Sequence, residues 1–116
     1  MANFFKDNAD LRFYIDTWID WDAVYEVTER FGNAKDGLNS KADAIEFYTD
    51  ILELIGQFAG DEIAPHSAQI DAEGVDLVDG EVVFPKKLES IFEQLQALEL
   101  YGMTLPREMG GQNCPM

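Results

Sequence analysis

The chain has 116 residues, with 8 Lys and Arg against 23 Asp and Glu, giving a net charge of −15 at pH 7 with its one histidine neutral. So acidic a surface repels phosphate, which excludes nucleic-acid binding and adhesion to anionic lipid. The 47% hydrophobic content, with two Trp, four Tyr and eight Phe, supplies a core for one domain and argues against disorder.

The N-terminal run Met1-Ala-Asn-Phe-Phe-Lys6 meets Asp7, Asn8 and Asp10 at once, which is neither the basic start nor the apolar stretch of a signal peptide. No segment approaches the roughly 18 apolar residues of a membrane span. Cys114 is the one cysteine, so no intramolecular disulfide can form, and a reducing, cytoplasmic location is expected. Leu11, Tyr14, Ile15 and Trp18 suggest a short helix. Asp20 opens another, with Trp21, Val24, Tyr25 and Phe31 on its apolar face and Gly32 as its stop. The polar stretch 33–39 reads as a solvated connection.

The clearest helix is expected over about Lys41 to Ala64, where Ala44, Ile45, Tyr48, Ile51, Leu52, Ile55, Phe58, Ala59 and Ile63 recur every three or four residues. Ser40 with Asp43 forms a capping signal, and Pro65 is expected to end the helix. Two β-branched runs flank Asp79-Gly80 within 75–84, the signature of a small hairpin. A second strong helix is expected from Pro85, with Leu88, Ile91, Phe92, Leu95 and Leu98 facing the core and Gly102 as the stop. The tail from Leu100 turns repeatedly and reads as cut before a further helix. The fold class expected is an all-α, antiparallel domain of about four helices with one hairpin or loop excursion.

The chemistry-bearing residues favour structural roles. His66 has no second His or Cys near it in sequence, and its position after a helix suits a cation at the negative end of the dipole. Residues 71–76 imitate a calcium loop, yet Gly74 is fourth and Val82 twelfth where that loop needs Gly at six and Glu at twelve. Asp16, Asp20, Asp22, Glu26 and Glu29 fit the solvated faces of short helices better than a metal site. Cys114 has no basic neighbour to activate it, and Gly110-Gly111 lacks the context of a phosphate-binding motif.

Several motifs in order then carry a resemblance. They are Phe58-Ala59-Gly-Asp-Glu62-Ile63-Ala64-Pro65, Asp71-Ala-Glu73-Gly74, Phe84-Pro85, and Leu98-Glu-Leu-Tyr-Gly102-Met103-Thr-Leu-Pro106-Arg-Glu108-Met-Gly110-Gly111. From about Phe47 onward the sequence resembles the N-terminal helical domain of the acyl-CoA dehydrogenases. Arg107, between Pro106 and Glu108, is a modest departure from the family's turn. Residues 1–36 and the insertion 78–84 are similar to a longer bacterial variety.

The resemblance implies a division into an N-terminal extension, 1–39, with one or two short helices, and an incomplete family domain, 40–116. It further implies an FAD-dependent oxidoreductase of fatty acid metabolism acting on an acyl-CoA thioester. A glutamate would remove the α-proton, the flavin would take the β-hydride, and an electron-transferring flavoprotein would accept the electrons. Base and FAD contacts are expected outside this chain, so no catalytic, cofactor-binding or metal residue is expected within it. Pro106, Gly110 and Gly111 carry over only as a turn aimed at the acyl pocket. A homo-oligomer is implied, and the piece alone is expected to be inactive and to leave a large apolar patch or self-associate. The alternative is a stand-alone acidic helical module that binds a partner without catalysis.

Overall fold

The computed structural model describes residues 2–30 and 37–116. The expected contact at Phe31, the stop at Gly32 and the start of the 33–39 connection lie outside the described residues. Helix α1, Ala9–Phe13, begins where the Asn8 side chain accepts the N–H groups of Asp10 and Leu11, and it widens into a π-turn over Tyr14–Trp18. Helix α2, Trp21–Tyr25, is capped by the Asp20 carboxylate on the Ala23 N–H and widens in the same way over Glu26–Arg30.

Helix α3, Lys41–Phe58, starts with the Ser40 hydroxyl accepting the Asp43 N–H at 3.1 Å. Its periodicity buries Ala44, Tyr48, Ile51 and Phe58, while Ile63 is half out in solvent. Pro65 does not end the helical run, contrary to expectation. A π-turn over Ala59–Ile63 and a 3₁₀ turn over Ala64–His66 lead straight into α4, Ser67–Glu73, which stops at Gly74. The proline stands in the first turn of a new helical segment, where its missing N–H costs nothing.

Strands β1, Asp76–Val78, and β2, Glu81–Val83, pair antiparallel with Leu77 opposite Val82. Asp79 and Gly80 both have positive φ, the tight turn the sequence implies. Helix α5, Lys86–Ala97, starts one residue later than expected, because Pro85 with ψ 136° is its N-cap. It also ends earlier: Glu99 takes the left-handed conformation, φ 57°, and Gly102 falls in the following 3₁₀ turn, Leu100–Gly102. Only Ile91 of its apolar face is buried, and Phe92 packs edge-on against Phe84. Lys87 Nζ, 2.8 Å from Glu62 Oε2, ties α5 to the π-turn after α3 and, with Gln94, holds the Glu62 carboxyl below the usual carboxylate range.

The N-terminal strand of chain lies across α3. Asn3 Oδ1 accepts the N–H groups of Phe5 and Lys6, its Nδ2 donates to Glu53 O at 3.0 Å, and the Phe4 N–H reaches Gly56 O at 3.0 Å. Gly56 is required for this approach, since a Cβ there would stand 2.6 Å from the Phe5 nitrogen. The described residues are mainly helical with a single two-stranded hairpin, the architecture the sequence leads one to expect. They form a slab of 51 × 33 × 17 Å with a radius of gyration of 17.5 Å, against about 13 Å for a compact domain of this length.

Candidate functional site

Two features meet at Tyr48: a buried polar clamp and an apolar cavity. The clamp centres on Glu29, at the end of the α2 run, which is 4% exposed. Arg107 Nη1 and Nη2 donate to Glu29 Oε2 and Oε1 at 2.8 and 2.9 Å, a bidentate geometry. The Tyr48 hydroxyl donates to Oε1 at 2.7 Å, and the Leu38 N–H donates to Oε2 at 3.1 Å. The guanidinium also lies 5.9 Å from the centre of the Phe47 ring.

Burial by itself would push the Glu29 carboxyl upward. The hydrogen bonds from Arg107, Tyr48 and the Leu38 N–H outweigh it and bring the carboxyl down to about 2. Burial and the Glu29 hydrogen bond raise the Tyr48 phenol, and the same carboxylate raises Arg107. The group is therefore an ion pair with every strong acceptor taken, suited to holding parts together rather than to moving a proton. Glu29 is thus a correction to the sequence reading, which placed it on a solvated face. Asp16, Asp20 and Asp22 do lie in solvent: Asp16 pairs with Arg12, Asp22 with Lys41, and Asp20 caps α2.

Arg107 reaches Glu29 because of the turn that carries it. Pro106 opens a 3₁₀ turn, Arg107–Met109, and its carbonyl accepts the N–H groups of Met109 and Gly111 at 3.0 and 3.1 Å. Gly110 has φ 85°, and a Cβ on Gly111 would lie 2.6 Å from Gly102 O. The chain then runs back beside itself: the Asn113 N–H donates to Leu105 O and the Cys114 N–H to Met103 O, both at 2.8 Å. Asn113 Nδ2 adds a bond to Thr28 O at 2.9 Å, a second tie to the α2 run. Pro106, Gly110 and Gly111 shape a turn after which Cys114, Pro115 and Met116 border the cavity. From sequence, Tyr48 falls on a helix's apolar face and Arg107 is a departure from the family's turn, but neither they nor Asn113 receive a role at a site.

The cavity holds about 650 Å³, within the range of small-molecule sites. Tyr48, Ile51 and Ile55 of α3 form one side, the α1–α2 region the other, and Cys114, Pro115 and Met116 an edge. Trp21 is fixed by its Nε1–H on Ile15 O at 2.7 Å and by stacking on Tyr48, centroids 5.9 Å apart. Among the described lining residues Asp20 has the one charged side chain. Burial pushes the Cys114 thiol up, which keeps it protonated. Among the described residues no group of three or more His, Cys, Asp or Glu side chains could hold a metal, and no helix is long and apolar enough to cross a membrane.

FAD needs cationic or N–H donors for its pyrophosphate. The cavity lining offers an acid instead, and Arg107 is already bound by Glu29. The cavity lining does not fit that group.

Residues 46–116 match the family model described as acyl-CoA dehydrogenase, N-terminal domain. The chain is also 31% identical, over 83 residues, to a 3-methylmercaptopropionyl-CoA dehydrogenase from Ruegeria pomeroyi. That alignment covers 65% of the chain and 14% of the relative, so the chain spans a small part of the curated protein it matches. No solved structure matches.

Proposed function

The chain belongs to the acyl-CoA dehydrogenase family, and from that premise we propose that it is the N-terminal helical domain of an FAD-dependent enzyme that oxidises an acyl-CoA thioester between Cα and Cβ. Residues 40–116 are the family domain in this reading, and 1–39 are an added helical extension. The reading is carried by one observation: the turn Pro106–Gly111, inside the stretch that matches the family, lays residues 114–116 along the apolar cavity.

The contribution of these residues is binding and exclusion of water. An apolar wall shields the acyl chain, and dry surroundings strengthen the electrostatics of the reacting thioester. The flavin contacts and the base are assigned to other parts of the enzyme, because the cavity lining does not fit FAD and Glu29 is locked in an ion pair. The 116-residue chain alone is accordingly proposed to be inactive. The matched relative is named for a coenzyme A thioester, which supports that substrate class. An electron-transferring flavoprotein as acceptor, a homo-oligomeric state and a cytoplasmic location complete the proposal. A stand-alone interaction module is not favoured, since it leaves the family match unexplained.

Protein expressed from the complete reading frame tests this. It is expected to purify yellow and to lose flavin absorbance when an acyl-CoA is added without oxygen. A colourless protein that takes up no FAD would overturn the reading.

A further inference from the structure

The two walls of the cavity have different origins. Tyr48, Ile51 and Ile55 belong to the stretch that matches the family model, whereas Ile15, Trp18 and Trp21 lie on segment 9–30, wholly outside it. We propose that segment 9–30 is the selectivity wall of this cavity, with Trp18 and Trp21 setting the length and bulk of the aliphatic chain it admits. That the chain is an acyl group rests on the dehydrogenase reading; that an aliphatic chain binds here does not.

Three observations carry the proposal. The two walls are tied to each other and to the turn, because Glu29 on the α2 run accepts both the Tyr48 hydroxyl of α3 at 2.7 Å and the Arg107 guanidinium, while Thr28 O accepts from Asn113 Nδ2. A rigid gap discriminates by size, whereas a soft one adapts. Trp21 is immobilised on both its edge and its face, by Ile15 O and by Tyr48. Trp18 differs, being 69% exposed and packed edge-on against Tyr14 at 5.4 Å, so its indole borders the cavity without being part of the core.

The occupant follows from the chemistry of the lining. Among the described lining residues the one charged side chain is Asp20, whose carboxylate already caps α2, and the whole chain carries −15. A free carboxylate is repelled there, and an aliphatic chain ending in a neutral group is not. A volume of about 650 Å³ accepts such a chain at length.

Trp18 and Trp21 are the two tryptophans of the sequence, so intrinsic fluorescence reports on this wall directly. Terminally brominated hexanol and dodecanol are the probes, because bromine quenches indole emission on contact. Saturable quenching by bromododecanol is expected in the 116-residue protein. In Trp18→Ala, read through Trp21, the preference for the long over the short probe is expected to shift by about 10-fold, as pocket discrimination between chain lengths allows.

Linear, non-saturating quenching of protein whose circular dichroism is helical would overturn the proposal, as would an unchanged preference in Trp18→Ala. Saturable quenching together with a complete protein that oxidises no acyl-CoA would support the wall and sink the dehydrogenase reading. Oxidation of acyl-CoA with no quenching would do the reverse.

Discussion

At the scale of single residues, Glu29 decides most. A buried carboxylate that accepts from Arg107, Tyr48 and a backbone N–H cannot lose its charge without leaving the guanidinium unpaired. Glu29→Gln is therefore predicted to cost about 2–4 kcal/mol, seen as a lower midpoint in urea. The pH dependence has a definite sign. The folded carboxyl lies near 2, below its ordinary 4.5. Its stabilisation, on the order of 3 kcal/mol, is complete above the ordinary value and is lost as pH falls through the folded one. The stability gap between wild type and Glu29→Gln should thus be widest at neutral pH and close between pH 4.5 and about 2. A gap that persists in acid would contradict the ion-pair assignment.

The family resemblance points to Gly110 and Gly111 as a turn, where Gly110 has φ 85° and Gly111 sits against the Leu105 and Gly102 carbonyls. Sequence reading could not find Glu29, an acid among acids whose partner is 78 residues away. Gly111→Ala is predicted to be worse than Gly110→Ala, which carries about 1 kcal/mol of backbone strain, because the added methyl meets the carbonyls of Leu105 and Gly102. Thermal unfolding of both variants checks the order.

At the scale of elements, local signals served well wherever one residue type dictated one geometry. Asp79-Gly80 placed the hairpin, Ser40 placed the start of α3, and a spacing of three and four placed its buried face. They failed where the helix changed pitch. A π-turn over Ala59–Ile63 lets the run pass Pro65, and no propensity encodes that. A second miss lies at Gly56, whose value is the space it leaves for Asn3 and Phe5 rather than anything in its own helix. Gly56→Ala is predicted to lift residues 2–6 off α3, costing about 1–3 kcal/mol. Faster amide exchange at Phe4, whose N–H is bonded to Gly56 O, would show it.

At the scale of the molecule, the slab is 17 Å through its thinnest direction and buries few large side chains. Leu77, Val82 and Phe84 on the hairpin, and Tyr101 and Met109 beyond α5, stay in solvent at 41–72% exposure. Such surface drives association, and a charge of −15 opposes it. The account predicts that the sedimentation mass of the chain rises between about 0.01 M and 1 M salt, as screening shortens from ~30 Å to ~3 Å. A monomer at both ends would mean that the exposed apolar surface is too dispersed to act as an interface. Nothing in a one-dimensional pattern distinguishes a helix face that meets its own chain from one left open, which is why periodicity over-counted the core of α5.

The most direct test of the central claim is a crystal structure of the protein from the complete reading frame with an unreactive acyl-CoA analogue. The account predicts the acyl chain between Trp18 and Trp21 on one side and Tyr48 and Ile51 on the other, with Arg107 still bidentate on Glu29. An acyl chain bound away from that cavity would contradict it.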